Sequence, residues 1–198
     1  MKRYETYKDS GIQWWEEIPT HWDLKKAKHM FSLITENVSN PSLPKIALEN
    51  IESWTGRFIE TDSDFMGEGV EFKKDDILYS EIRPANKRYA YVDFEETERY
   101  IASTKLMVLR PKKDVVLPRF LFAFLSSNHV LAELQHLAET RSGTFPQITF
   151  SSELAPMPIE VPDFETQEKI VGMLASIEGR IQNNNEINEN LREQRAGQ

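Results

Sequence analysis

The C-terminal stretch from Thr166 to Arg195 limits the folds open to this chain more than any other feature, because it contains no proline and has heptad spacing. Its seam positions follow intervals of four and three residues: Ile170, Leu174, Ile177, Ile181, Asn184, Asn188 and Leu191. This spacing is typical of a coiled-coil helix. A lone helix of such length is marginally stable in water, so the seam needs a partner within the chain or from another copy. The two asparagines would weaken the seam but favour one register, unless the helix frays beyond Ile181.

The region before this helix combines strand-like and helical patterns. This combination predicts an α/β (α+β) domain at residues 1–162, followed by a long coiled-coil-forming helix at residues 163–198. Strand-like patterns occur within four segments: 45–60, 75–83, 87–94 and 102–111. The last two of these segments are rich in Tyr, Val, Thr and Leu. From Leu117 to Ala138 the spacing becomes helical, with a break around Ser126–Asn128.

The two ends of the predicted domain have less regular patterns. Residues 7–22 contain Gly11, Pro19 and three tryptophans, whose rings we expect to anchor an irregular segment onto the domain. Asp23 is predicted to be the N-cap of a short helix from Leu24 to Phe31. At the other end, three closely spaced prolines restrict the backbone to extended or edge-strand forms: Pro156, Pro158 and Pro162.

The chain contains no cysteine, which excludes disulfides, thiolate zinc sites and a cysteine nucleophile. This composition is compatible with a reducing compartment, and we expect a cytoplasmic protein. The N-terminus has no apolar signal-peptide region, and no run approaches the roughly 18 apolar residues of a membrane-spanning helix. We therefore expect no membrane association.

The net charge of −8 argues weakly against a nucleic-acid partner. Net charge sums over all faces, however, whereas binding uses one of them. Between Arg83 and Lys113 the balance reverses, with 8 basic residues against 4 acidic ones. A basic patch on an acidic protein is therefore compatible with this composition.

The sequence contains few motifs of catalysis. No GxGxxG or GxxxxGK[ST] phosphate loop is present, and no serine lies in a GxSxG elbow. The four histidines do not have metal-ligand spacing as a set. A nuclease-like acidic and lysine pattern can be assembled from one segment, although a solvated acidic hairpin explains it as well: Asp62, Asp64, Glu68, Glu71, Lys73 and Lys74. We therefore expect no catalytic residue, metal site or cofactor.

Two polar segments favour a binding function instead. In the first, Arg83, Lys87 and Arg88 are interleaved with Tyr89 and Tyr91. Arginine can bond to guanine edges or phosphate, and lysine neutralises phosphate. The competing interpretation is a strand with a solvated basic face.

The second polar segment, residues 139–148, follows the helical region. Its candidate DNA contacts are Arg141, Ser142, Thr144 and Gln147. Glutamine matches the paired donor and acceptor of adenine. Gly143 would allow a close approach of backbone to phosphate, and Pro146 would stiffen the loop. Composition alone nevertheless favours a plain helix-to-strand connection.

The order of several motifs resembles the specificity (S) subunits of type I restriction-modification systems. The opening pattern is matched by Tyr7, Lys8, Ser10, Gly11, Trp14, Ile18, Pro19 and Trp22. A second family segment is matched by Leu78, Tyr79, Arg83, Pro84 and Lys87. The stretches ASTKLMVLRP, SGTFPQI and PIEVPDFETQEKIVGML also resemble family segments. Together these matches extend over nearly the whole chain.

The resemblance implies a non-catalytic reader of double-stranded DNA. In such complexes, methyltransferase (M) subunits methylate adenine and motor-nuclease (R) subunits cut the DNA. The expected DNA face contains the residues of both polar segments and one further lysine: Arg83, Lys87, Arg88, Lys105, Arg141, Ser142, Thr144 and Gln147. The final helix would dock the M subunits and set the spacing between recognition domains.

The chain departs from this family in holding one recognition domain and one such helix. It is expected to be a half subunit that pairs with a copy through the seam and reads a symmetric split site. The alternative is a fragment of a two-domain S subunit. Two other classes remain open: a stand-alone nuclease or methyltransferase, and an assembly protein without a DNA role.

Overall fold

A computed structural model of the chain describes residues 4–12, 15–59, 66–141 and 145–196. In chain order the strands are β1 (Tyr7–Ile12), β2 (Trp15–Pro19), β3 (Asp23–Lys26), β4 (Phe31–Ile34), β5 (Asn37–Ile46), β6 (Met66–Val70), β7 (Ile77–Ser80), β8 (Tyr89–Tyr91), β9 (Ile101–Ala102), β10 (Leu106–Pro111) and β11 (Pro158–Val161). The α-helices are α1 (Pro118–Leu125), α2 (Asn128–Arg141) and α3 (Phe164–Ala196). The predicted mixed α/β fold with a long C-terminal helix is confirmed.

A four-stranded antiparallel sheet in the order β4-β10-β7-β8 forms the centre of the globular part. Every residue of β7 is buried, and so are all but one of β10. The two faces of the sheet contribute to separate apolar clusters: Ile77 and Leu109 belong to one, and Leu78 and Val108 to the other. Because both faces are covered, these strands have nearly continuous apolar sequences rather than alternating ones.

The two short helices cover one face of this sheet. As predicted, the helical region is broken near Ser126, with α1 ending at Leu125 and α2 beginning at Asn128. Leu121 and Leu134 are fully buried in the same cluster as β7. The hydroxyl of Tyr79 donates a 3.0 Å hydrogen bond to the carbonyl oxygen of Leu125 at the break. This bond satisfies a buried polar group and joins α1 to the sheet.

The opposite face of the sheet is covered by three mutually paired strands. β5 pairs antiparallel with β6 and parallel with β9, and β6 pairs antiparallel with β9. Gly69 permits this close packing, since a Cβ at that position would lie 2.5 Å from the carbonyl oxygen of Ala102. Ile46, Val70 and Ala102 complete the second apolar cluster.

The N-terminal predictions were wrong. The segment predicted to be irregular contains an antiparallel hairpin of β1 and β2, and Trp14 lies outside the described residues. The helix predicted after Asp23 is also absent. β3 instead pairs antiparallel with β11, and a single 3₁₀ turn follows at Ala27–His29. Backbone pairing with this distant strand replaces the local helical hydrogen bonds that the spacing of apolar residues had suggested.

The base of α3 is fixed to the globular part. Asp163 Oδ1 accepts a 2.8 Å hydrogen bond from the backbone N–H of Thr166, which caps the first turn. The buried Gln167 side chain accepts from the N–H of Leu117 at 2.8 Å and donates to the carbonyl oxygen of Pro162 at 2.9 Å. Ile170 and Val171 pack against the first apolar cluster. These contacts orient α3 relative to α1.

Beyond these two turns α3 extends into solvent. Its 33 residues correspond to a rod about 50 Å long. The apolar side chains along the rod are exposed: Met173, Leu174, Ile177, Ile181, Ile187 and Leu191. Asn184 and Asn188 are exposed as well. The contacts of α3 with the start of α1 are the hydrogen bond from Leu117 to Gln167 and an ion pair between Glu178 and Arg119 at 4.0 Å.

No α-helix in the described part of the chain is both long enough and apolar enough to span a membrane.

Candidate nucleic-acid interface

The segment Glu81–Lys87 leaves the central sheet with an unusual backbone. Arg83 and Lys87 have φ values of 46° and 51°, in the left-handed region, on either side of a 3₁₀ turn at Pro84–Asn86. Non-glycine residues in this region carry a cost of about 1–3 kcal/mol, so their surroundings must hold them there. Such strained segments are frequent at binding sites.

The loop Phe145–Ile148 holds one side of this segment. Gln147 lies opposite Ile82 in an antiparallel bridge. The N–H of Arg83 donates to the carbonyl oxygen of Pro146, and the N–H of Ile148 donates to that of Glu81, both at 2.9 Å. The loop that follows α2 is therefore attached to the segment that follows β7, although the two are far apart in sequence.

Helix α2 holds the other side. The side chain of Gln135 accepts a 2.9 Å hydrogen bond from the N–H of Ala85. Lys87 Nζ donates to Asn128 Oδ1 at 3.0 Å, and its carbonyl oxygen accepts from the N–H of Trp54 at 3.2 Å. The strained turn is thus fixed from three directions, which stiffens the positions of its cationic side chains.

The two cations of this segment each lie beside an aromatic ring. Lys87 Nζ is 3.3 Å from the centre of the Trp54 ring, and Arg83 Cζ is 5.8 Å from that of Phe145. Both rings are exposed, Trp54 at 68% and Phe145 at 47%. Cation–π contact of this kind stabilises exposed positive charge without neutralising it. The surface therefore combines positive charge with planar apolar groups, as single-stranded and duplex DNA readers do.

Gln147 and Glu81 form the polar centre of the site. Gln147 Nε2 donates to Glu81 Oε2 at 3.1 Å, and both side chains are half-buried. The N–H of Glu81 donates to the carbonyl oxygen of Lys105 at 3.3 Å, so the turn carrying the exposed Lys105 adjoins the same segment. Arg83, Lys87, Lys105 and Gln147 are thereby connected through one stretch of backbone.

Arg141 ends α2 and is partly engaged within the protein. Its Nη1 lies 3.4 Å from each carboxylate oxygen of Glu153. Glu153 is almost completely buried and also accepts hydrogen bonds from the N–H and hydroxyl of Thr149. Half of the Arg141 side chain remains exposed. Ser142 and Thr144 lie outside the described residues, so their predicted DNA contacts have no structural account.

Arg88 differs from the other predicted contacts because its guanidinium is directed into the protein. Its Nη1 donates to the carbonyl oxygens of Leu48, at 3.0 Å, and of Ile51. Tyr89, which follows it, is buried and stacks against Tyr79 at 6.0 Å. Arg88 therefore has a structural role in holding the 3₁₀ turn at Leu48–Asn50, and its DNA contact stays a prediction.

The basic excess between Arg83 and Lys113 does not form a single patch. Arg110 makes a two-point ion pair with the buried Asp76, with N–O distances of 2.9 and 2.8 Å. The hydrogen bond to this carboxylate raises the pKa of Arg110. Lys113 bonds to Asp75 at 2.5 Å, and Lys112 to the carbonyl oxygen of Lys28 at 3.0 Å. The cations next to the polar centre are a subset of those counted in the sequence.

The nuclease-like pattern is only partly covered by the structure. Asp62 and Asp64 lie outside the described residues. Lys73 and Lys74 are paired with Glu71, at 3.7 Å, and with Glu95. Across the described ranges, no three His, Asp or Glu side chains are placed to hold a metal ion.

Sequence reasoning missed Trp54, Phe145 and Glu81 as members of the site. Trp54 lies in the segment 45–60, where strands were predicted, whereas it has a φ of 76° and lies in a turn. Glu81 lies in the predicted strand segment 75–83 and was not among the candidate DNA contacts. Its carboxylate meets Gln147 through the bridge between two distant loops, for which no local signal exists.

Comparison with known proteins assigns the sequence of this chain to a family. Residues 26–193 match the sequence profile described as type I restriction modification DNA specificity domain. The chain belongs to this family. The match includes the strained segment, the loop that holds it and most of α3.

Individual members of the type I specificity family agree with this assignment. Over 119 residues, 60% of this chain and 26% of the relative, the sequence is 48% identical to the type I restriction enzyme HindI specificity subunit of Haemophilus influenzae. Among solved structures, the HsdS subunit of Thermoanaerobacter tengcongensis matches with a TM-score of 0.68 and 19% identity, covering 84% of this chain and 44% of HsdS.

A second solved chain gives the same fold. It comes from work on complex assembly and conformational transition of the type I R-M system, and it matches with a TM-score of 0.64 and 20% identity. The match covers 83% of this chain and 44% of the solved chain. This chain thus spans less than half the length of the relatives it matches.

Proposed function

We propose that this chain is a non-catalytic subunit that reads double-stranded DNA for a type I restriction-modification complex. The observation that carries the proposal is the attachment of the Phe145–Ile148 loop to the Glu81–Lys87 segment. Around it lie exposed cations, exposed rings and a fixed glutamine, which are the groups that contact phosphates and base edges. Family membership supports the same function.

The residues at this surface have different proposed roles. Lys87, Lys105 and Arg83 hold phosphates, which position the duplex without reading sequence. Gln147 reads a base edge, where a good contact contributes about 1–3 kcal/mol of discrimination. Arg141, Ser142 and Thr144 are further proposed DNA contacts, and the inward-directed Arg88 supports the surface from within.

The exposed face of α3 is proposed to act in assembly. In this proposal residues 1–162 form the recognition domain and residues 163–198 the spacer, which docks methyltransferase subunits that in turn recruit motor-nuclease subunits. The apolar stripe supports pairing with a second copy, since an exposed row of leucine and isoleucine is typical of a helix partner. A two-fold pair would read an inverted, split target.

DNA reading can be tested with the chain assembled with its methyltransferase subunits. Binding should weaken about 10³–10⁵-fold between 50 and 200 mM salt if six to ten phosphates are contacted. Lys87→Ala should weaken binding to all sequences alike, whereas Lys74→Ala, an exposed lysine paired with Glu95, should not. Salt-independent binding, or no binding, would contradict the proposal and favour an assembly protein without a DNA role.

The base-reading role of Gln147 needs a separate measurement. Gln147→Ala should change the motif that the assembled complex methylates, as determined by sequencing methylated DNA. An unchanged motif and rate would show that the loop is only a connector. A symmetric split motif for the unmodified complex would support pairing of two copies.

Pairing through α3 is tested by Ile177→Asp, which places a charge on the apolar stripe. We expect this variant to be monomeric at concentrations where the unmodified chain self-associates, as measured by sedimentation. Gln182→Asp is the matched control, because it adds the same charge about 140° around the helix. A monomeric unmodified chain at all concentrations would contradict pairing with a copy.

A further inference from the structure

The hydrogen bond between Gln147 and Glu81 has a direction that the chemistry of the two groups dictates. A carboxylate only accepts hydrogen bonds, whereas an amide can donate from nitrogen or accept at oxygen. The amide nitrogen of Gln147 must therefore face Glu81, at the observed Nε2–Oε2 distance of 3.1 Å. The reversed orientation would bring two acceptor oxygens together without a proton between them.

The backbone around the pair keeps the two side chains beside each other. Two backbone hydrogen bonds flank the Ile82–Gln147 bridge, each with an N–O distance of 2.9 Å, and they fix the two chain segments relative to each other. Both side chains are half-buried, which limits their rotamers. Within the described residues, Gln147 Oε1 and the second Nε2 hydrogen make no hydrogen bond. These two groups are left for a ligand.

Resting on the proposed function, we infer that Glu81 determines specificity by fixing the polarity of the Gln147 amide. Oε1 is presented as an acceptor to a base with an exocyclic amino group, either adenine N6 or cytosine N4. A keto oxygen of guanine or thymine placed opposite Oε1 would put an acceptor against an acceptor, which disfavours these bases in that position. With adenine, the second Nε2 hydrogen can also donate to N7.

The role of Glu81 is distinct from that of a direct contact. A glutamine that rotates freely can present either its oxygen or its nitrogen, so by itself it discriminates weakly between amino and keto bases. Discrimination between bases arises here because the Glu81 carboxylate accepts a hydrogen bond from the Gln147 amide. This bond disfavours the orientation in which the amide oxygen faces Glu81. Glu81 is a positioning residue, and its effect should show in base preference at a single position rather than in overall affinity.

The experiment uses the chain assembled with its methyltransferase subunits and compares methylated motifs. Glu81→Gln keeps the shape of the side chain but allows it to donate, so the Gln147 amide can turn around. We expect the motif to relax at one position, from an amino base to both amino and keto bases. Discrimination between amino and keto bases at that position should fall about ten- to hundredfold.

Two further variants locate the effect. Gln147→Ala should alter the same position of the motif as Glu81→Gln. Glu95→Gln makes the same chemical change at an exposed carboxylate on another part of the surface, and it should leave the motif unchanged. A motif unaffected by Glu81→Gln, or altered at a position that Gln147→Ala does not touch, would overturn the inference.

A double variant in which the two residues are exchanged gives a second test. It still distinguishes the outcomes if the single variant Glu81→Gln fails to fold. In the double variant Glu81→Gln with Gln147→Glu, the amide at 81 donates to a carboxylate at 147. The carboxylate is an acceptor, so preference for an amino base should return. Failure of the swap to restore it in a folded complex would also overturn the inference. If the unmodified complex binds no DNA, the proposed function itself fails instead.

Discussion

The globular part and helix α3 use the same apolar residue types in opposite ways. Leu121 of α1 is 0% exposed, whereas Leu191 of α3 is 51% exposed. Around the central sheet, apolar side chains are covered on both faces by elements of the same chain. Along α3, coverage ends after Ile170 and Val171, and the remaining apolar residues face solvent. The globular part completes its own core, whereas α3 is suited to contact another molecule.

This difference shows that apolar spacing predicts which face of a helix is buried, but not by what. Both α1 and α3 have apolar residues three and four apart. In α1 these side chains are buried in the same cluster as part of the sheet, while in α3 those beyond Val171 are exposed. The helices differ in what the fold places beside them, a property that their own sequences do not contain.

The largest effect on stability is expected from truncating a buried leucine, compared with the same truncation at an exposed leucine. Leu121→Ala should lower the free energy of unfolding by about 2–5 kcal/mol, because it removes buried contacts and leaves a cavity. Leu191→Ala should change the unfolding of the monomer by less than about 0.5 kcal/mol. Both are measured by urea unfolding at low protein concentration. A similar loss of unfolding free energy in both variants would contradict the contrast between the two regions, since Leu191 would then be buried.

A smaller effect is expected at the joint between the two regions. Gln167→Ala removes the hydrogen bonds to Leu117 and Pro162 and leaves the partly buried N–H of Leu117 without this partner. We expect a loss of about 1–3 kcal/mol and faster hydrogen exchange in the first turns of α3. Gln182→Ala, on the exposed part of α3, is the control. Equal exchange in both variants would show that α3 is held by other contacts.

The smallest expected effect is on the pH dependence of stability, which the buried carboxyl group of Glu160 should influence. Burial raises the pKa of Glu160 to about 7, and its Oε1 has no hydrogen-bond partner in the described part of the chain. The folded state therefore holds this proton more tightly than the unfolded state. Stability is greatest below the unfolded pKa near 4.5 and is lost as pH rises toward 7.

Removing that charge tests the direction of the effect. Glu160→Gln should raise the free energy of unfolding at pH 8 by about 1 kcal/mol and flatten its dependence between pH 4.5 and 7. The gain is modest because the amide is itself left partly unpaired. Glu189→Gln, on the exposed part of α3, should leave the pH profile unchanged. A stability loss in Glu160→Gln at pH 8 would contradict this account.

Elements with a strong local signal were predictable from the sequence. The break between α1 and α2 follows from the polar residues after Leu125, and β7 and β10 follow from apolar runs that end at polar residues or proline. β3 was mistaken for a helix because its partner, β11, lies at the far end of the globular part. Strand pairing over such a distance leaves no trace in the local spacing of residues.

The candidate site was predictable in part. Arg83, Lys87 and Gln147 were identified from residue type, and the structure brings their segments together. The inward direction of Arg88 and the partnership of Glu81 with Gln147 depend on tertiary contacts. Residue type indicates what a side chain can bind, whereas the fold decides which of its atoms are already occupied.

The left-handed backbone at Arg83 and Lys87 has a consequence for retargeting this protein by mutagenesis. Glycine, asparagine and aspartate accept that backbone readily, whereas valine, isoleucine and threonine do not. A combinatorial library randomised at both positions would lose many members to misfolding before any selection for a new target. Diversity placed at Gln147 avoids this loss, because an extended bridge accommodates every residue type except proline.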